Sequence, residues 1–262
     1  MPRRQLLRNL VWGYVAAVLV FLYLPLIPPM LFSLAQPTPQ GTMLTVRPYV
    51  ELWGNPVLVG AIRTSLIIGV LTALLTPPLA VLAAMGVREL RAPRAVLLLL
   101  LMPLFIPGVS MGLAGAFLFR LLSVTPSLWT ILIMHVMWAL PFAFLIVLTA
   151  MAGFDPAYLE AAYVLGAGRV RAFFDVELPL TAPGIAGAAM SAFILSLNET
   201  VRTGLVQGPL NTVQTYIWST YLQVGLSPTI YALISLLIVL TMVLVLIVLP
   251  LLGRRTMRTA SL

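Results

Sequence analysis

The chain has no cysteine, no lysine and one histidine, His135. Without cysteine there are no disulfides and no thiolate-held metals. One histidine leaves no histidine cluster for a metal and little basis for histidine acid–base chemistry. Without lysine a GxxxxGK[ST] phosphate loop is impossible, because that loop sets its lysine on the phosphates. A nucleotide-driven activity would therefore need another chain to bind ATP and its magnesium, and no metal or cofactor is expected in this one. Charge is scarce too: 8% of residues are charged, against about a quarter in a soluble domain. So few charges cannot cover a water-facing surface.

What is present is apolar. Hydrophobic residues make up 61% of the chain and the mean hydropathy is +1.08. Spanning-length runs are read at Leu10–Leu34, Ala61–Gly86, Ala95–Phe119, Leu128–Ala150, Leu180–Arg202 and Thr229–Leu252. They are continuous rather than alternating, which favours helices over a membrane β-barrel. The first run follows Met1-Pro2-Arg3-Arg4 and exceeds a leader's short apolar core, so it is read as a retained helix. The expected fold is an all-α membrane protein of six transmembrane helices.

The net charge of +8 could point to nucleic acid, but its distribution says otherwise. With the N-terminus in the cytoplasm, the inner segments carry Arg3, Arg4, Arg8, Arg88, Arg91, Arg94, Arg169, Arg171, Arg254, Arg255 and Arg258. Arg47, Arg63, Arg120 and Arg202 fall on or near the other side. That bias is the positive-inside signature of topology and places both termini in the cytoplasm. No nucleic-acid partner is expected; the partner surface is lipid.

Four segments follow: residues 1–34 with the first helix, an outer loop at 35–60, a five-helix core at 61–252, and a tail at 253–262. The inner loop at 151–179 interrupts the core and holds Asp155, Glu160, Asp175 and Glu177, four of the seven acidic residues. Asp155 fits a helix N-cap with Pro156 at the first helical position. Leu159, Ala162, Tyr163 and Gly166 share a helical face, and Gly166 and Gly168 permit a sharp turn. Val170, Phe173 and Phe174 fit a second short helix ending at Leu178-Pro179. The pattern is a small helical hairpin at the membrane surface; a mere interfacial brace between two spans is the plainer alternative.

The spacing Glu160-Ala161-Ala162, Gly166, Val176, Leu178-Pro179 resembles the EAA motif of ATP-binding-cassette (ABC) importer permeases. Those proteins usually carry isoleucine where Val176 stands. The resemblance implies a type I, MetI-like permease core with one added leading helix. It makes Glu160, Ala161, Ala162, Gly166, Leu178 and Pro179 part of a coupling helix docked on an ATPase subunit. It further implies an ATPase dimer, a second permease and an extracytoplasmic binding protein at the outer loops. Within the family the likeness is nearest to polyamine (spermidine/putrescine) permeases, carried by Ser191 to Thr200, Gly208-Pro209, Thr212, Ile217 to Ser219, Ser227 to Leu233 and Met102 to Gly108. That type favours a different chain as the second permease. Such permeases commonly have Asp-Glu where Asn198-Glu199 stands, which leaves one acid fewer for a polycation.

Inside the spans, Glu199 is the lone acid and has two readings: a translocation-path group meeting a cation, or a partner of Arg202. Asn198 shares the choice between lining the path and packing. His135 reads as an interhelical hydrogen-bonding group or a proton relay. Gly108 and Gly112 form a GxxxG pattern for close helix packing. Pro103, Pro107 and Pro141 are expected to kink their helices. Trp53, Trp129, Trp138, Tyr216, Trp218 and Tyr221 read as interfacial anchors or an amine cage. The expected function is a non-enzymatic importer permease. The alternative is an ion-gradient-driven secondary transporter, for which one glutamate, one histidine and no internal repeat are thin support.

Overall fold

The computed structural model describes residues 2–38, 41–89 and 93–259. Arg91, one of the arginines assigned to the inner side, and the last three residues of the tail lie outside them.

The chain resolves into two units, one of residues 1–56 with 220–245 and one of 57–219 with 246–262. The first contains α1 (Pro2–Tyr23), which runs through a 3₁₀ turn at Leu24–Leu26 into α2 (Ile27–Phe32). Pro25 and Pro28 stand at the first positions of these pieces, where a missing N–H costs nothing. The segment expected as an outer loop at 35–60 is not irregular. It forms a hairpin of β1 (Ala35–Thr38) and β2 (Gly41–Leu44), with Ala35 opposite Leu44, and then α3 (Arg47–Trp53). Ser33 ties the end of α2 to α3 through a 2.7 Å hydrogen bond with the Tyr49 hydroxyl. Phe32 meets Tyr231 ring to ring at 5.5 Å, so the start of α13 (Pro228–Thr259) belongs to the same unit.

The second unit is built on α4 (Pro56–Glu89), α7 (Leu128–Ala152) and α10 (Leu178–Leu197). α10 packs along α7. Ala143, Phe144 and Val147 of α7 meet Ala188 of α10 and Ala80, Val81 and Ala84 of α4 in one buried cluster. A second cluster joins Ile68, Met111, Ile131, Met134 and Val206. Small residues dominate the first cluster, which is how membrane helices approach closely without a hydrophobic driving force.

Between α4 and α7 the expected span at 95–119 is not one helix. It is α5 (Pro93–Leu101), a 3₁₀ turn at Met102–Phe105 and α6 (Gly108–Leu121), with the flanking helices bent by 101°. Pro103 and Pro107 remove two amide donors, and Ile106, placed before a proline, is forced to extended backbone with ψ 124°. Pro141, by contrast, lies buried within the uninterrupted α7.

The fifth expected span also differs. It begins at Leu178, since Pro179 in a first turn is harmless, and ends at Leu197 rather than Arg202. Its continuation is α11 (Val201–Val206), and the expected outer loop at 203–228 holds α12 (Val213–Val224). Among the described residues four helices are long and apolar enough to cross a membrane, or five if the bent pair is one span. Pro228–Val243 is apolar but shorter among the described residues.

Candidate functional site

The EAA residues lie on a hairpin between α7 and α10. Asp155 caps it: its Oδ1 accepts the Ala157 amide at 2.9 Å, and α8 runs Ala157–Val164. Gly166 then takes φ +87°, the left-handed region where a side chain is strained, and no other atom crowds it. Its glycine is therefore demanded by backbone direction and not by space. Gly168 is ordinary extended backbone with φ −70°. α9 (Arg169–Ala172) follows and widens into a π-helical turn, Phe173–Glu177, that leads into α10 without a break. Glu160 and Ala161 are exposed, Ala162 is buried against the rest of the chain, and Leu178 and Pro179 sit at the head of α10. Among the described residues Glu160 forms no ion pair. Beside this exposed charge stands an apolar patch: Val164 and Leu165 are each 87% exposed.

Glu177, read from the sequence as one of four acids in a polar loop, is instead buried at the neck of this hairpin and paired with Arg88 of α4. The legible signal was an acid directly abutting an apolar run.

The second cluster lies at the other end of α10. Asn198 ends that helix, donating from its side chain to the Ile194 carbonyl at 2.9 Å, and it is exposed. Glu199 turns inward. Its Oε2 accepts from Arg202 Nη1 at 2.6 Å and its Oε1 accepts the Arg202 amide at 2.8 Å, so both oxygens are spent on one neighbour. The two side chains are 6% and 7% exposed. The Arg202 guanidinium lies 3.8 Å over the Trp138 ring and its Nε donates to Met111 sulfur at 3.3 Å. The charge thus meets a carboxylate, a π face and a polarisable sulfur, and is shielded from apolar surroundings on three sides.

GxxxG makes room for it. A Cβ at Gly108 would stand 3.4 Å from the guanidinium, and one at Gly112 would be 2.6 Å from Leu205, so α6 lies directly against α11. The sequence offered the Glu199–Arg202 pair as one reading, and the structure brings the two together. Trp138 and Met111 were missed as its partners, since no spacing rule links three separate helices.

His135 staples the break between α10 and α11. Its Nδ1 is 2.7 Å from Ser196 Oγ on α10, and its Nε2 is 2.7 Å from Thr203 Oγ1 on α11. The Thr203 hydroxyl donates to the Glu199 carbonyl, so it accepts from Nε2–H, and Nδ1 accepts from Ser196. Both ring nitrogens are committed to interhelical bonding, and no second titratable side chain extends them into a relay. Of the aromatic residues, Trp53, Trp129, Trp218 and Tyr221 are exposed, and Trp138 faces Arg202.

Among the described residues, helices long and apolar enough to cross a membrane flank the hairpin, α7 before it and α10 after it. The chain belongs to the family described as binding-protein-dependent transport system inner membrane component, which matches residues 65–258. It is a multi-pass inner-membrane permease subunit of an ABC importer, not an enzyme, and the ion-gradient alternative is not favoured. It is 29% identical over 237 residues to the spermidine/putrescine transport system permease protein PotC of Escherichia coli K12, covering 89% of this chain and 90% of that protein. Identity to the putrescine transport system permease protein PotI of the same organism is 27% over 244 residues, covering 87% and 85%. A chain from the crystal structure of a bacterial ABC transporter that imports the acidic polysaccharide alginate superposes with a TM-score of 0.73 at 21% identity, covering 96% of each. That likeness carries the fold.

Proposed function

We propose that this chain forms, with a second and different permease, the path by which an ABC importer brings a polyamine or related organic cation into the cell. Six spans with both termini cytoplasmic follow from the arginine bias, with the bent α5–α6 pair and α13 as the third and sixth. Two ATPase chains bind ATP and magnesium, because this chain has no lysine for a phosphate loop. An extracytoplasmic binding protein delivers cargo to the outer segments at 35–60 and 203–228.

The observation that carries the reading is the hairpin itself. Its EAA spacing coincides with an exposed surface on which Tyr158, Tyr163, Val164 and Leu165 stand 56%, 45%, 87% and 87% exposed. An exposed apolar patch of this kind marks a contact surface for protein or membrane, and the EAA spacing assigns it to protein. Glu160, Ala161, Ala162 and Gly166 meet the ATPase, and Leu178-Pro179 pass the movement to α10. The cargo class rests on the similarity to PotC and PotI.

Asn198 is the group of the two that faces the path. Glu199 is exposed to cargo only when Arg202 releases it. The acidic cargo of the alginate transporter is no obstacle, since a shared fold does not fix the substrate.

Uptake of radiolabelled spermidine into vesicles carrying the permease pair, ATPase and binding protein tests the proposal. Uptake should require ATP and survive an ionophore that collapses ion gradients. Uptake that persists without ATP and ends with the ionophore would contradict it. Asn198→Asp, which restores the second acid, should raise spermidine uptake relative to putrescine.

A further inference from the structure

Three of the four ion pairs among the described residues join neighbours on one stretch of chain: Arg47–Glu51, Arg171–Asp175 and Glu199–Arg202. The fourth crosses 89 positions and joins Arg88 to Glu177. It is a two-pronged contact, Nη1 to Oε1 at 2.5 Å and Nη2 to Oε2 at 3.3 Å. A fork of this kind fixes direction as well as distance. The Glu177 side chain is 2% exposed and that of Arg88 43%. A buried carboxylate is tolerated only when paired, so Arg88 is what allows Glu177 to sit there.

Its position gives the pair a mechanical meaning. Glu177 closes the π turn at 173–177, on which α8, α9 and α10 all pack. The Thr181 hydroxyl donates to the Glu177 carbonyl at 2.8 Å, so the backbone there is fixed too. Arg88 stands in the last turn of α4. The hairpin is covalently continuous with α7 and α10, but α4 is connected to it only through space. Among the described residues Arg88–Glu177 is the ion pair that joins α4 to the hairpin. π turns are frequent at functional sites, where the wider turn admits a reorientation that an α-helix resists.

We propose that Arg88 and Glu177 form a strut that carries hairpin movement into α4, so that α4 and α10 shift together when the ATPase closes. The proposal rests on reading 151–179 as the ATPase-docking hairpin. Arg88 and Glu177 are positioning residues: they bind neither cargo nor nucleotide.

The lack of native cysteine makes a direct test possible. Complexes with the ATPase pair and binding protein are reconstituted in vesicles, and spermidine uptake and ATP hydrolysis are read from the same sample. For Glu177→Gln and Arg88→Gln, ATPase subunits should stay bound and hydrolysis continue. Uptake per ATP should fall roughly fivefold or more, the scale of a typical coupling between sites. Arg88→Lys, which keeps the charge but loses the fork, should fall between. The double variant Arg88→Cys with Glu177→Cys should be uncoupled when free. It should recover when a short bis-thiol-reactive linker of the ion pair's length joins the two positions. Recovery by a neutral linker separates a strut from a merely stabilising charge pair, even if the single variants assemble poorly.

Uptake per ATP that is normal in the single variants, or equal with and without the linker, overturns the strut. Failure of the docking reading appears elsewhere: Glu160→Arg and Gly166→Ala would then leave ATPase retention and uptake intact, whatever the strut variants do.

Discussion

Glu177 and Glu199 flank the same helix, one immediately before α10 and the other just past its end, and each meets an arginine. Their surroundings differ. Glu199 and Arg202 are three residues apart and both buried, with Trp138 and Met111 closing around the guanidinium. Glu177 is buried as deeply, but its arginine comes from α4 and is 43% exposed. A local pair of this sort holds the shape of a helix break, and a long-range one ties together elements that could otherwise slide. The second is the pair proposed above to carry displacement from the hairpin into α4.

Substitutions sharpen the contrast. Arg202→Ala strands Glu199 with no other charge partner, and a broken buried pair costs about 3–5 kcal/mol. Unfolding in detergent should show a loss of that size. Removing both charges together, with Glu199→Gln added, should recover part of it, and equal loss in the single and double variants would break the picture of a self-contained pair. Arg88→Ala should cost less, about 3 kcal/mol, and Glu177→Gln only about 1, since Arg88 can turn to water. That asymmetry is the signature of a pair with one wet partner. His135→Ala leaves the Ser196 and Thr203 hydroxyls without their ring partner and should cost about 2 kcal/mol. Arg47 and Glu51, a wet pair on α3, set the lower limit: Glu51→Gln should shift stability by a few tenths of a kcal/mol at most, read in the same assay.

The sequence made the long apolar elements legible and the breaks much less so. α7 starts at the expected Leu128 because Ser127 and Thr130 form a capping box there. The turn at Gly166 and the cap at Asp155 were readable from local chemistry alone, as was the packing role of Gly108 and Gly112. Pro103 and Pro107 announced a kink between α5 and α6, but continuous hydropathy hid its size of 101°, since Met102 to Phe105 is as apolar as its flanks. The short helices α3 and α12 were read as loop, and α11 was split between the fifth span and the loop after it, because no apolar run of spanning length marks them. The Glu199–Arg202 pairing was visible in the spacing. Arg88–Glu177 was not, because nothing local connects positions 89 apart.

The residues proposed to line the path and those proposed to meet the ATPase occupy opposite ends of α10, so cargo and coupling should separate by mutation. Asn198 variants should change which amine is carried while leaving ATP hydrolysis untouched. Hairpin variants should do the reverse.

The most direct test is uptake and ATPase retention in one vesicle preparation for Glu160→Arg and Gly166→Ala. Loss of spermidine uptake together with release or uncoupling of the ATPase subunits is the predicted result. Normal uptake with the ATPase still attached would contradict the assignment of residues 151–179 as the coupling hairpin.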